Sequence, residues 1–118
     1  MAVKQNEKTG LLQGTLDMLV LKALQFGPRH GYQITSWLEQ TSQHALTVEE
    51  GSLYPALHRM ERKGWIESEW GTSESNRRAK YYKLTRTGRS QLVREVDAWD
   101  ALARAILLVI HPATGDAI

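Results

Sequence analysis

The hydrophobic period of this chain changes at Gly64, and that change limits the possible folds more than any other feature. Before Gly64 the apolar residues recur every three or four positions, the helical interval. After it, Trp65–Trp70 and Ala79–Leu84 alternate and are rich in β-favouring residues. The first helical segment runs from Leu11 to Phe26, with Leu16, Leu19, Val20, Ala23 and Leu24 at amphipathic spacing, and Gly27-Pro28 stops it. A second starts near Gly31-Tyr32, carries Ile34, Trp37 and Leu38 inward, and ends in the polar run from Thr41 to His44. A short extended piece, Ala45–Val48, leads to the third, which begins at Glu50. There Leu53, Leu57 and Met60 share one stripe, Ser52 occupies an N-cap position, and Pro55 falls in the first turn. Gly64 supplies the left-handed conformation that ends a helix, with Arg62 and Lys63 at the negative dipole end.

The two alternating segments are joined by Gly71–Arg78, which reads as a hairpin loop with a basic tip. A two-stranded hairpin is marginal alone, so it must lean on the helices, with Ile66, Trp70, Tyr82 and Leu84 as candidate contacts. The expected fold class is mainly α with a small β-hairpin, a winged helix-turn-helix domain followed by a C-terminal dimerisation helix. That last helix runs from about Thr87 to Ile110. Leu92, Val96, Trp99, Ala103, Ile106 and Ile110 form an a/d seam along it, and Val93, Leu102, Leu107 and Val109 widen the apolar surface. One face can pack on the first helix. A 118-residue chain has little else to cover the surplus, so a twofold homodimer through this helix is expected, against the alternative of burial within one chain. The domain plan is therefore a flexible N-terminal arm at 1–10, the winged helix-turn-helix domain at 11–86, the dimerisation helix at 87–111 and a tail at 112–118.

The third helix suggests the function. Ser52, Pro55, His58, Arg59, Arg62 and Lys63 fall on the side away from its apolar stripe, with no carboxylate among them, and Tyr54 flanks that face. A net charge of +2 is too small to argue for nucleic acid, but its distribution is not even. From Asn76 to Arg94 there are seven basic residues and no acidic one. Double-stranded DNA is the expected partner, with Arg77, Arg78 and Lys80 on phosphates and Arg59 able to pair bidentately with guanine. Ser52 and His58 would read more permissively. A winged helix used as a protein-interaction module is the alternative, and the acid-free block argues against it.

Other classes find little support. The chain has no cysteine, which removes disulfides and thiolate chemistry. His30, His44, His58 and His111 are scattered, no Gly-rich phosphate loop follows a strand, and Glu49-Glu50 at a helix start reads as dipole compensation. No enzyme, metal or cofactor is expected. No apolar run reaches membrane-spanning length and the N-terminus lacks a signal-peptide core, so a cytoplasmic location without a membrane partner is expected.

Four ordered motifs also carry a family resemblance. They are Leu12-Gln13-Gly14-Thr15-Leu16 with Leu19, the turn from Gly27-Pro28 to Gln33-Ile34, Gly51-Ser52-Leu53-Tyr54-Pro55-Ala56-Leu57 with Met60-Glu61 and Gly64-Trp65-Ile66, and Arg78-Ala79-Lys80-Tyr81-Tyr82-Lys83-Leu84-Thr85 with Gly88. Over about residues 11 to 90 the chain resembles the PadR family of bacterial transcription regulators, of the class with a short C-terminal part. The resemblance implies a homodimeric repressor on a pseudopalindromic operator, with the third helix in the major groove, Tyr54 helping to grip the DNA, and the wing on the adjacent backbone. It also implies a response to small aromatic or amphipathic effectors, some held between C-terminal helices by a tryptophan. Trp99 is the residue here that could line such a pocket, although a tryptophan at a seam position is more simply read as dimer core.

Overall fold

A computed structural model describes residues 13–113, which form four helices and a three-stranded antiparallel sheet. The order is α1 (Gln13–Ala23), β1 (Arg29–His30), α2 (Gly31–Thr41), α3 (Glu50–Arg62), β2 (Ile66–Thr72), β3 (Arg78–Leu84) and α4 (Arg86–Ile110). The expected arm at 1–10, the start of the domain at 11–12 and the tail from 114 lie outside the described residues. α1 is the hub. Leu16, Met18, Val20, Leu21 and Ala23 are all buried, so burial runs round the helix rather than along one stripe. α2, α3 and α4 all pack against it.

The sheet has one strand more than the sequence reading expects. Arg29 and His30, read there as part of a tight link, pair with Tyr82 and Tyr81 and make β1 the edge beside β3, giving the order β1-β3-β2. Two residues are too few to carry a period, so this strand has no sequence signature. Arg29 is held in place by donating from Nε to the Ala23 carbonyl at 2.7 Å, with its guanidinium over the Trp37 ring. The hairpin is also tighter than expected. Gly71 pairs with Ala79 and Thr72 with Arg78, so the turn shrinks to residues 73–77. It is closed by Ser73 N–H donating to the Arg77 carbonyl at 2.7 Å and Asn76 N–H to the Ser73 carbonyl at 2.9 Å.

Of the four expected hairpin contacts, Ile66, Tyr82 and Leu84 are buried against the helices, and Trp70 is not. Trp70 is 55% exposed, because by its position in β2 the sheet has passed the edge of the helical layer. Tyr32, at the start of α2, likewise lies mostly in solvent. The end of α3 matches expectation. Gly64 adopts φ +78°, its N–H donates to the Glu61 carbonyl, and Trp65 N–H donates to the Met60 carbonyl, the paired bonds of a Schellman motif.

α4 is anchored through Thr85. Its side-chain oxygen accepts from Gly88 N–H at 3.0 Å and donates to the Gly64 carbonyl at 2.6 Å, while its own N–H donates to the Trp65 carbonyl at 3.0 Å. The helix then crosses the sheet so closely that a Cβ on Gly88 would lie 1.9 Å from the Trp65 carbonyl oxygen. Leu92, the first residue of the expected seam, is only 5% exposed and is spent in the core of its own chain. That corrects its assignment to a dimer surface: about two turns beyond the anchor, α4 still lies on the body of the domain. Farther along, Val96 and Ala103 are half-buried, while Trp99, Ile106 and Ile110 are exposed.

Candidate nucleic-acid interface

α3 presents two unlike faces. Leu53, Ala56, Leu57 and Met60 are buried, and Tyr54, Pro55, His58, Arg62 and Lys63 are exposed. The helix starts earlier than its capping residues suggest. Glu49 is the N-cap, with extended backbone and no side-chain capping bond, so Ser52 is the third helical residue and not the cap. Pro55 is therefore the sixth, beyond the first turn, and it removes the ladder bond that would reach the Gly51 carbonyl. Gly51 and Pro55 both face solvent, which lets water take up that carbonyl. Glu50 supplies the acidic first turn that compensates the dipole.

Arg59 corrects the sequence reading most sharply. Its expected place was on the outer face as a free base-reading arm. Instead Nη2 donates to Asp17 Oδ1 at 2.8 Å, with the arginine side chain 25% exposed and the aspartate 6%. The pair bridges α3 to the hub helix. Burial raises the Asp17 carboxyl above the usual range, and the attraction and hydrogen bond of Arg59 pull it back. Glu61, which falls near the apolar side, accepts from Ser68 Oγ at 2.7 Å and joins α3 to β2, so the wing stands beside the helix. Tyr54 leans back across the other side, with its hydroxyl occupying the space that a side chain on Gly31 would need.

The wing carries the second group of expected contacts. Arg77 and Arg78 are exposed and Lys80 is half-exposed. Arg78 lies over the Trp70 ring at 4.4 Å from its centroid, with the Lys80 ammonium at 5.9 Å. Glu74, in the wing turn, is drawn away to the start of α2. One carboxylate oxygen lies 3.2 Å from His30 Nε2 and the other accepts from the Gln33 side chain. Hydrogen bonds to its own backbone, then to His30 and Gln33, hold the Glu74 carboxyl below the usual carboxylate range. His30 is meanwhile the N-cap of α2, accepting from Gln33 N–H while the Gln33 side chain accepts from His30 N–H, a capping box. Sequence reading missed this latch. The His-x-x-Gln spacing was its only available signal, and it names no partner forty residues away.

No group of three or more potential metal ligands occurs among the described residues, and none of their helices is long and apolar enough to cross a membrane. Between α1 and α4, Gly14, Thr15, Met18, Glu95, Ala98, Trp99 and Leu102 line an open, mostly apolar hollow of about 430 Å³.

The same arrangement recurs in known proteins. The family model for the transcriptional regulator PadR-like family matches residues 20–94, more than half of the chain. A PadR family transcriptional regulator from Eggerthella lenta is 33% identical, with 91% of each chain covered and a TM-score of 0.70. A PadR-like transcriptional regulator from Bacillus cereus is 26% identical over 86% of this chain and 97% of that one, with a TM-score of 0.73. A transcriptional regulator of Mycobacterium tuberculosis is 38% identical over 73 residues, 61% of this chain and 67% of that protein. With four helices, a small antiparallel sheet and an exposed cationic helix beside a cationic wing, this chain belongs to the PadR-like family of DNA-binding transcriptional regulators.

Proposed function

We propose that the protein is a homodimeric repressor that recognises a pseudopalindromic operator in double-stranded DNA. The observation that carries this reading is the pairing of two cationic surfaces on adjoining elements: the outer face of α3 and the wing beside it. α3 enters the major groove, and Arg77, Arg78 and Lys80 neutralise phosphates on the flanking backbone. With Arg59 engaged by Asp17, base reading passes to Arg62 and His58, with Ser52 and Tyr54 at the rim. Lys63 sits over Trp65 at the helix end, near enough to add a phosphate contact. Arg59 then acts indirectly, by fixing how α3 is seated on α1.

The second half of the reading rests on α4. Trp99, Leu102, Ile106, Leu107, Leu108, Val109 and Ile110 are all exposed in a single chain, a run of apolar surface too continuous for solvent. A second copy packed twofold on this surface would cover it and set two α3 helices about one helical turn of DNA apart, roughly 34 Å. Because α4 spans 25 residues, about 37 Å of helix, a small change in crossing angle at its far end moves both reading heads. The hollow beside Trp99 is the place where a small aromatic or amphipathic effector would act, provided it binds one crossing geometry better than another.

The test is a selection of bound sequences from random duplex DNA, followed by affinity measurements across a salt series. The reading requires a twofold-symmetric consensus and an affinity that falls steeply with salt. A selection that returns no consensus, with weak binding throughout, would defeat it.

A further inference from the structure

We propose that Trp70 is a positioning residue for DNA contact: its indole gathers Arg78 and Lys80 into one cationic unit aimed at a phosphodiester backbone. The proposal rests on the reading of the wing as a DNA-contacting element. Strand register places the three residues together. Trp70 pairs with Lys80, two residue pairs beyond Ser68–Tyr82 and four beyond Ile66–Leu84, and Thr72 pairs with Arg78 two residue pairs farther out. Alternation keeps all these rungs on one face of the hairpin. The inner rungs of that face are packed under the helices, with Ser68 bonded to Glu61 of α3, while the outer rungs overhang into solvent next to the reading helix.

Two like charges two residues apart on one strand face repel, and no counter-charge is supplied. Among the described residues neither Arg78 nor Lys80 has a carboxylate within ion-pair distance. The acid of the wing turn, Glu74, is bound instead to His30 and Gln33, and Lys83 on the opposite face takes Glu67. What holds the two cations is the negative π face of Trp70. That interaction leaves the guanidinium N–H groups and the ammonium protons free for phosphate oxygens. It also orders both long side chains beforehand, which lessens the entropy lost when DNA binds. The hairpin does not need the indole for closure, since seven registered pairs and two turn hydrogen bonds already define it.

The experiment measures affinity for a random-sequence duplex at low salt, because phosphate contacts do not depend on sequence. Trp70→Leu weakens binding about five- to tenfold, and Trp70→Tyr, which keeps a π face, stays within about twofold of the parent. In a background already carrying Arg78→Ala and Lys80→Ala, Trp70→Leu has no further effect. Thermal midpoints are read alongside, and the Tyr variant keeps the comparison meaningful even where Leu loosens the hairpin. The proposal is overturned by a Leu variant that binds like the parent, by a Tyr variant as weak as Leu, or by a Leu effect that persists without the two cations. If the parent binds but Trp70→Leu changes nothing, only the role of Trp70 falls. If the parent itself ignores the duplex, the DNA-binding reading falls and takes this proposal with it.

Discussion

Replacing Arg59 with Met separates a structural arginine from a base-reading one. The side chain keeps an unbranched apolar stem but loses the guanidinium that meets Asp17 at 2.8 Å. Asp17 is left as a carboxylate only 6% exposed, with no compensating partner of comparable strength. Breaking a buried ion pair from one side is destabilising by roughly 3–5 kcal/mol, and Arg59 is itself a quarter exposed, so the lower end, about 3 kcal/mol, is expected. The pH dependence has a definite sign. Burial already holds the folded-state pKa of Asp17 above the usual carboxylate range, and removing Arg59 raises it further. A folded state that binds the proton more tightly than the unfolded chain gains stability as pH falls through that raised pKa. The deficit of Arg59→Met is therefore largest near neutrality and narrows in acid. Adding Asp17→Leu should restore most of the loss, because an apolar pair replaces the ionic one. Urea unfolding at fixed protein concentration, at neutral and mildly acidic pH, measures all of this. An Arg59→Met protein as stable as the parent at both pH values, yet unable to tell operator from random DNA, would refute the reasoning and return Arg59 to the groove.

Three further outcomes follow from the geometry. Arg62→Ala should reduce discrimination between the selected operator and random DNA by about 1–3 kcal/mol, whereas Arg78→Ala should weaken both alike and lower the salt slope by about one; titrations against both duplexes distinguish the two. Gly88→Ala should destabilise the fold by at least about 2 kcal/mol in denaturant unfolding, because its Cβ meets a backbone carbonyl oxygen at 1.9 Å that no rotamer change can move. Ile106→Asp puts a charge into the exposed apolar run of α4 and, for the proposed dimer, should raise the dissociation constant at least about thirtyfold by sedimentation, without lowering the helix content of the isolated chain.

Much of this fold is written in local periodicity. Leu53, Leu57 and Met60 mark the inner face of α3, and the alternation through Ile66, Tyr82 and Leu84 marks the hairpin, because each pattern reports burial on its own element. What periodicity cannot show is which distant residue an exposed-looking one will meet. Arg59 is placed by its helical phase beside His58 and Arg62, but Asp17, forty-two residues earlier, draws it inward. β1 exists only because Arg29 and His30 reach β3, and it is too short to register as a strand in isolation. Ser52 carries the right chemistry for a cap, yet the helix begins at Glu50, where no side-chain capping bond announces it. Leu92 obeys the heptad of α4 faithfully and still belongs to the core, since a heptad repeat does not say which copy of the chain supplies the opposing face. Trp70 reads as a hairpin anchor because aromatic residues in strands commonly are; its exposure follows from strand length relative to the helical layer, a tertiary quantity.

The most direct test of the account is the stoichiometry of the protein on its selected duplex, measured by sedimentation equilibrium. Two chains per duplex, with half-sites whose centres lie about one helical turn apart, is the predicted result. A single chain per duplex, bound as tightly to one isolated half-site as to the full sequence, would contradict it.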